Sequence, residues 1–509
     1  MNNASFQRKV TYLVLIAVLL VPLALVSRPA TVGGSKSGGS DGGVLARLRH
    51  DYKLGQAQMG EIDPASGAMR YLSFGLQGIA ICVLQEKEEE YRRQEDWLTL
   101  AAVLKQRTVL QPFYVKVWTH QAWNVAYNIS SQWDDPHDKY YWVVYGFKLL
   151  AKGMGLNEDE PRFPHELGWT VGHKLGQSDE KQDFRKDFTK DEELHRLEWA
   201  ARADRRDSWL FSKRYHEFAV EMVDVGGKPL RSMGTELFHL HAPLAQVQYA
   251  EAIEREGTFG NAARGAWQTA LDDVRAFGDF TFPSQHGYLY RLNDFDADKK
   301  LLAERLDLLD NKLAPGARQA LEVEKRTNLP AEWLEALQTT TNNRSEKQRR
   351  MALDAEYNMI VRDHEVAQRA PAEKRDEALR VADDVLMLRR KVSDIESSRH
   401  IWNYDYWLDR CRMESSDEAL AARQYFFDAM KAADDDPWVA RKAFEEAFRR
   451  WRVILDKYPV MVSDRTSYDV NEYIKAYVRT LKQLDQPFDP QNFILHDLLK
   501  HYQDQSMGG

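Results

Sequence analysis

Hydrophobic residues open the chain as a block. Val10 to Val26 is an apolar run of seventeen residues, set between Arg8-Lys9 and the Arg28-Pro29 corner. Such a run is at the short end of what crosses a bilayer, and it is longer than most signal-peptide cores. Leu25-Val26-Ser27 makes a poor cleavage site, so residues 1–27 read as an uncleaved signal anchor, with a cleaved signal peptide as the alternative. The positive tail at Arg8 and Lys9 keeps the amino terminus in the cytoplasm. That orientation predicts a single-pass membrane protein with an extracytoplasmic, periplasmic body. Residues 28–45, with their Gly/Ser tract Gly33 to Gly43, read as a linker.

Beyond Val44 the apolar residues recur at helical spacing. Tyr71 to Tyr91 opens apolar and turns charged, and Asp96 is placed to cap a helix over Trp97 to Leu110. Pro112 precedes a further helix from Val115 to Ile129, and Tyr140 to Lys152 supplies its partner. Leu420 to Ala433 pairs with Pro437 to Tyr458, where Ala443, Phe444, Ala447, Phe448 and Trp451 form one inward stripe. Asp294 to Ser398 is more charged, poor in aromatics and punctuated by Pro315-Gly316, Pro330 and Pro371. It predicts two or three long amphipathic helices, with Thr339 to Arg344 as a flexible loop. Strand-like alternation is scarce, so the fold class is all-α.

Helix pairs recur along this pattern. Trp118, Gln121-Ala122 and Val125 place a large, a small and an apolar residue on one helix after Pro112. Leu167-Gly168 and Val171 repeat that spacing after Pro161. Gly257-Thr258-Phe259 then turns the chain between Tyr249-Ala250 and Ala262-Ala263. These stretches resemble tetratricopeptide-like helical repeats, which implies irregular hairpins stacked as an α-solenoid behind the anchor. The predicted divisions are a repeat region over 46–282, a charged long-helix region over 283–400 and C-terminal helical pairs over 401–509. The layout also resembles membrane-anchored helical-repeat proteins of planctomycete-type bacteria, notably through Tyr114-Val115-Lys116-Val117-Trp118 and Trp123-Asn124-Val125-Ala126-Tyr127-Asn128. Some of those carry an iron-responsive-element label, which nothing in these residues supports.

Composition narrows the functions. The chain has 509 residues and a formal charge of −8 from 78 acidic and 70 basic residues. No basic block has the density that nucleic-acid binding needs. Fourteen tryptophans and 11% aromatics argue for a packed core rather than disorder. Cys82 and Cys411 are the only cysteines; they read as free thiols and are too few for an iron–sulfur cluster or a structural zinc site.

Familiar catalytic motifs are missing. His165, His216 and His364 each precede a Glu but lack the second His of a zinc-protease motif, and Gly226-Gly227-Lys228-Pro229 is no phosphate loop. No nucleophile elbow appears either. His239-Leu240-His241 is able to share a metal only on an extended segment before Pro243; capping or core roles are favoured. In Trp133-Asp134-Asp135-Pro136-His137-Asp138, a carboxylate would serve as a general base in a carbohydrate-active α/α toroid, with Trp133 as platform. The favoured reading is a helix cap at Asp134 or Asp135. No cofactor is implied.

The leading expectation is a membrane-anchored scaffold that binds another protein outside the cytoplasm. Gln121, Asn124, Tyr127 and Asn128 are its candidate groove. Arg399, Asn403, Tyr404, Trp407, Arg410 and Glu414 are a candidate polar network, with Arg410 and Glu414 at ion-pair spacing. The alternatives are the extracytoplasmic enzyme, and a structural envelope component that uses the charged arm.

Overall fold

The computed structural model describes residues 3–26, 43–44, 47–48, 77–200, 206–230, 233–463 and 465–507. The linker over 28–45 and the start of the helix expected from Tyr71 lie largely outside them. Helix α1 spans Asn3–Val26 with Pro22 inside it. Among the described residues no helix is long and apolar enough to cross a membrane, so the structure does not establish the expected anchor.

The described chain is predominantly helical, and its sheet is one two-stranded antiparallel ribbon. All-α is therefore the fold class. The chain divides into two compact units: Met1–Asp273 with Met413–Gly509, and Val274–Arg412.

In the first unit the helices are α2 (Gln77–Arg93), α3 (Trp97–Leu110), α4 (Val115–Trp123), α5 (Pro136–Leu156), α6 (Arg162–Gln177) and α7 (Lys181–Lys190). They continue as α8 (Glu192–Arg196), α9 (Ser208–Asp224) and α10 (Thr235–Arg255), and α11 (Asn261–Asp279) crosses into the second unit. Local chemistry explains the starts. Asp96 accepts from the Thr99 N–H at 3.1 Å, and Asp207 accepts from the Trp209 N–H at 2.8 Å. Phe147, Phe163, Leu167, Phe184, Phe188 and Phe211 form a fully buried core across α5, α6, α7 and α9.

Glycine sets how closely these helices approach. A Cβ at Gly153 would meet the Trp118 ring at 2.9 Å, and one at Gly146 would meet the Ala122 carbonyl at 2.9 Å. On α6, Gly168, Gly172 and Gly176 recur every fourth residue, and a Cβ at any of them would collide with α9 at Ser212 or Trp209. Buried Arg185 on α7 then ties the ends of two other helices together. Its guanidinium donates to Asp207 at 2.8 Å and to Glu256 at 2.6 Å.

The second unit begins with β1 (Phe282–Pro283) and β2 (Leu289–Tyr290). It continues with α12 (Phe295–Asp307), α13 (Ala317–Thr327), α14 (Ala331–Gln338), α15 (Glu346–Met359), α16 (Asp363–Gln368) and α17 (Arg375–Ile401). Leu309, Leu313, Val366, Ala378, Val381 and Val385 form its core. The expected two or three long helices are corrected here: only α17 is long, at 27 residues. Breakers cut the rest, for Gly316 takes φ +75° before α13, and Pro330 and Pro371, with ψ 142° and 148°, stand at the N-cap of the next helical piece. Thr339 to Arg344, expected as a loose loop, is a short turn closed by Arg344, which donates to the Thr339 carbonyl at 2.9 Å.

Helix α18 (Tyr404–Glu414) leads back to the first unit, followed by α19 (Asp417–Ala432), α20 (Pro437–Lys457), α21 (Arg465–Gln483) and α22 (His496–Met507). The α19–α20 pair forms where its pattern predicts, with α19 beginning three residues before Leu420 and Asp436 capping α20. Phe444, Ala447, Phe448 and Trp451 are buried on one stripe.

Candidate functional site

The chain after α4 does not continue as an α-helix. Asn124–Ile129 is a π-helix, closed by the Ser130 N–H donating to the Val125 carbonyl five residues back. π-Helical turns are rare and concentrate at functional positions. Buried Asn124 holds this one: its amide donates to the Trp97 carbonyl at 3.2 Å, and its oxygen accepts from Asn128 at 3.0 Å.

The π-turn lies beside a row of aromatic rings. Trp123 stacks near Tyr127 at 5.8 Å between centroids and 18° between planes. The Tyr127 ring lies 5.9 Å from His173, and its hydroxyl meets His173 Nδ1 at 3.0 Å. His173 stacks on Trp169 at 4.7 Å and 8°. His120 extends the row beyond Trp123. Trp123 is 44% exposed and Trp169 37%, so both indoles of the row meet solvent.

Charge borders the row without entering it. Lys174 Nζ lies 5.0 Å over the Tyr127 ring. Burial pushes Tyr127 up, with Glu166 adding to the shift, so it stays protonated. Burial and the adjoining Lys174 push His173 down. His120 meets Glu88 at 2.7 Å, and Arg107 pairs with the same carboxylate. Burial alone would raise Glu88; the hydrogen bonds from His120 and Arg107 outweigh it and hold the carboxyl below its ordinary range.

Of the groove residues expected from sequence, Tyr127 belongs to this row and Asn128 is half-buried beside it. Gln121 and Asn124 are corrected: both are buried and serve helix packing. Trp123, Trp169 and His173 were missed. Their signal was present, because Trp123/Tyr127 and Trp169/His173 are both i,i+4 aromatic pairs on one helix face each.

Asp135 caps α5 by accepting from the His137 and Asp138 N–H groups at 2.8 and 3.3 Å. His137 meets Asp187 at 2.7 Å, and Trp133 stacks on Trp142. His239 and His241 sit on α10, with Pro243 inside the same helix, so the extended segment that would let them share a metal does not form. His239 bonds the Thr235 carbonyl and Asp224, while His241 faces another group altogether. Among the described residues no group of three or more His, Cys, Asp or Glu is set to hold a metal ion.

The polar network divides at its ends. Arg399 pairs with Asp405, donates to the Leu292 carbonyl at 2.6 Å and lies 5.1 Å over the Tyr404 ring. Asn403 takes φ +51° between α17 and α18, and the Tyr404 hydroxyl donates to Asn293 at 2.5 Å. Arg410 lies over Trp407. Glu414 accepts from buried Arg423 at 2.7 Å in the first unit.

An aromatic-lined hollow of about 350 Å³ opens between α20, α21 and the segment that follows, against Phe448, Tyr477, Phe488 and Phe493. Compared with known proteins, the chain matches no family model, no curated sequence and no solved structure.

Proposed function

We propose that this protein is a membrane-anchored helical-repeat scaffold that binds another protein outside the cytoplasm. The observation that carries the reading is the aromatic row Trp123–Tyr127–His173–Trp169 beside the π-helix. Solvent-exposed tryptophans cost solubility and are commonly retained at protein interfaces, and π-helical turns concentrate at functional positions. Trp and Tyr dominate binding energy at such interfaces. The apolar run at Val10–Val26 supports the anchor, which would concentrate the surface near membrane-associated partners.

The test is affinity purification of the full chain from gently solubilised membranes, with mass spectrometry of what accompanies it. A specific protein retained by the native chain and lost from the Trp123→Ala/Trp169→Ala double variant is the expected result. A partner held equally by both chains moves the interface elsewhere, and a partner-free native preparation sinks the scaffold reading.

A further inference from the structure

Three helices of the first unit meet at a knot of imidazoles. His165 of α6, His216 of α9 and His241 of α10 stand with ring centroids 4.8, 4.8 and 5.1 Å apart. Two of the rings are deeply buried, at 7% exposure for His165 and 2% for His216. Phe238 stacks on His165 from α10, and a Cβ at Gly168 would stand 3.2 Å from the His216 ring. One hydrogen bond joins the trio, His165 Nε2 to His241 Nδ1 at 3.2 Å. Nδ1 of His165 and Nδ1 of His216 have no partner.

Three other histidines of this unit are placed differently. His120 meets Glu88 at 2.7 Å, His137 meets Asp187 at 2.7 Å and His239 meets Asp224 at 3.1 Å, so each has a carboxylate partner. Among the described residues no carboxylate acts on the trio. The charged group acting on it from α6 is Arg162, itself joined to Glu166 at 3.2 Å. From α10 the Leu237 carbonyl acts on His241, and from α9 His216 is the ionisable member. Helices α4, α5 and α7 also pack on α6, and among the described residues no ionisable group of theirs acts on the trio.

We infer that the His165–His216–His241 trio is a proton-triggered joint, which holds α6, α9 and α10 together while its rings are neutral and parts them on mild acidification. Neutral imidazoles pack as flat, half-apolar plates. A first added proton finds an apolar box, and a second finds a like charge about 5 Å away. Opening the joint returns the rings to water, where they accept protons at their ordinary pKa.

The sign follows from burial, which pushes all three rings below 6.5, His165 to about 3. The closed joint is fully stable above the free-histidine value. It loses stability as pH falls from about 6.5 toward the depressed values, because the open form binds the protons. Each ring then shifts the closed–open equilibrium by up to about tenfold per pH unit.

The experiment is amide hydrogen exchange on the full detergent-solubilised chain at pH 7.5 and 5.5, corrected for intrinsic rates, read against α19–α20 of the same unit. The expected result is a loss of protection of tenfold or more in α6, α9 and α10 at pH 5.5, with α19–α20 unchanged. His216→Gln, His165→Gln and His241→Gln should each flatten that pH dependence. Imidazole Cε1–H resonances of the native chain provide a second measurement that does not depend on the folding of any variant. Rings that titrate singly near pH 6.5 without loss of protection overturn the proposal, as does equal loss in α19–α20. Zinc chloride alone, if it raises the melting temperature at pH 7.5 and shifts those resonances, makes the trio a metal centre and equally overturns it.

Discussion

Gly172 on α6 lies directly against Trp209 on α9: a Cβ at the glycine would stand 2.8 Å from the indole and 2.7 Å from the Ser212 hydroxyl. Gly168 and Gly176, one turn to either side, are equally crowded. Three glycines in register therefore let two helix backbones approach where larger residues would hold them apart. Both Trp209 and Ser212 are buried, so neither is free to swing aside.

Alanine at Gly172 forces this interface apart. Gly172→Ala should cost about 1–3 kcal/mol by overpacking, read as a lower urea midpoint with an unchanged slope. Gly265 is the internal control, since nothing lies within 4 Å of its added Cβ on α11. Gly265→Ala should stabilise by about 0.4–1 kcal/mol through helix propensity and a less flexible unfolded chain. If both substitutions behave alike, the close approach of α6 and α9 is not what the glycines provide.

A second expectation concerns the buried acids of the first unit. Burial, then the charge of Glu414, pushes Glu254 up to about 8, and Trp267 Nε1 donates to it at 3.1 Å. Arg423 is committed to Glu414 at 2.7 Å and lies 4.7 Å over Trp451. Glu254 is thus neutral at pH 7 and binds its proton more tightly folded than unfolded. Its contribution is complete below about pH 4.5 and is lost as pH rises through about 8. Glu254→Gln should remove that alkaline decline in thermal midpoints measured from pH 5 to 9. Arg423→Met strands Glu414 and should cost about 3–5 kcal/mol.

Asp135 offers a test of capping against catalysis. Asp135→Ala should lower stability by about 1 kcal/mol, and Asp135→Asn should restore most of it, because the amide oxygen still accepts from the first turn of α5. Thermal denaturation of the three chains decides it. An Asn variant as unstable as the Ala variant would show that charge, rather than the cap hydrogen bond, is what the position needs.

In the second unit, Asp363 receives Arg318 at 2.8 Å and Arg389 at 3.1 Å, and its side chain is only 11% exposed. Arg318 also grips Asp310 through two hydrogen bonds. Asp363→Ala should destabilise the unit by roughly 1–3 kcal/mol, since two guanidinium groups lose a shared, partly buried acceptor. Pulse proteolysis across the unit reads this directly, and a change under about 0.5 kcal/mol would place the pair among ordinary surface bridges.

Much of the helix layout is legible in residue order. Asp96 and Asp135 cap the helices their positions announce, and of the expected inward stripe Phe444, Ala447, Phe448 and Trp451 are buried while Ala443 is half-buried. The charged middle region misleads, because its amphipathic spacing continues across breaks that Gly316, Pro330 and Pro371 impose. Of the expected groove residues, Tyr127 belongs to the surface row, whereas Asn124 points inward to bond the Trp97 carbonyl and Asn128, and Gln121 is buried with its side-chain oxygen unpartnered.

Residue order alone determined the all-α class, the helix caps and the apolar run near the amino terminus, because each depends on neighbours within a few positions. Only the tertiary structure decided which glycines set helix spacing, which acid is kept neutral and which histidines meet. His165, His216 and His241 are separated by 51 and 25 residues, and no local pattern links them. Their environment is a property of the packing they share, created when α6 and α9 close across glycine and α10 packs beside them.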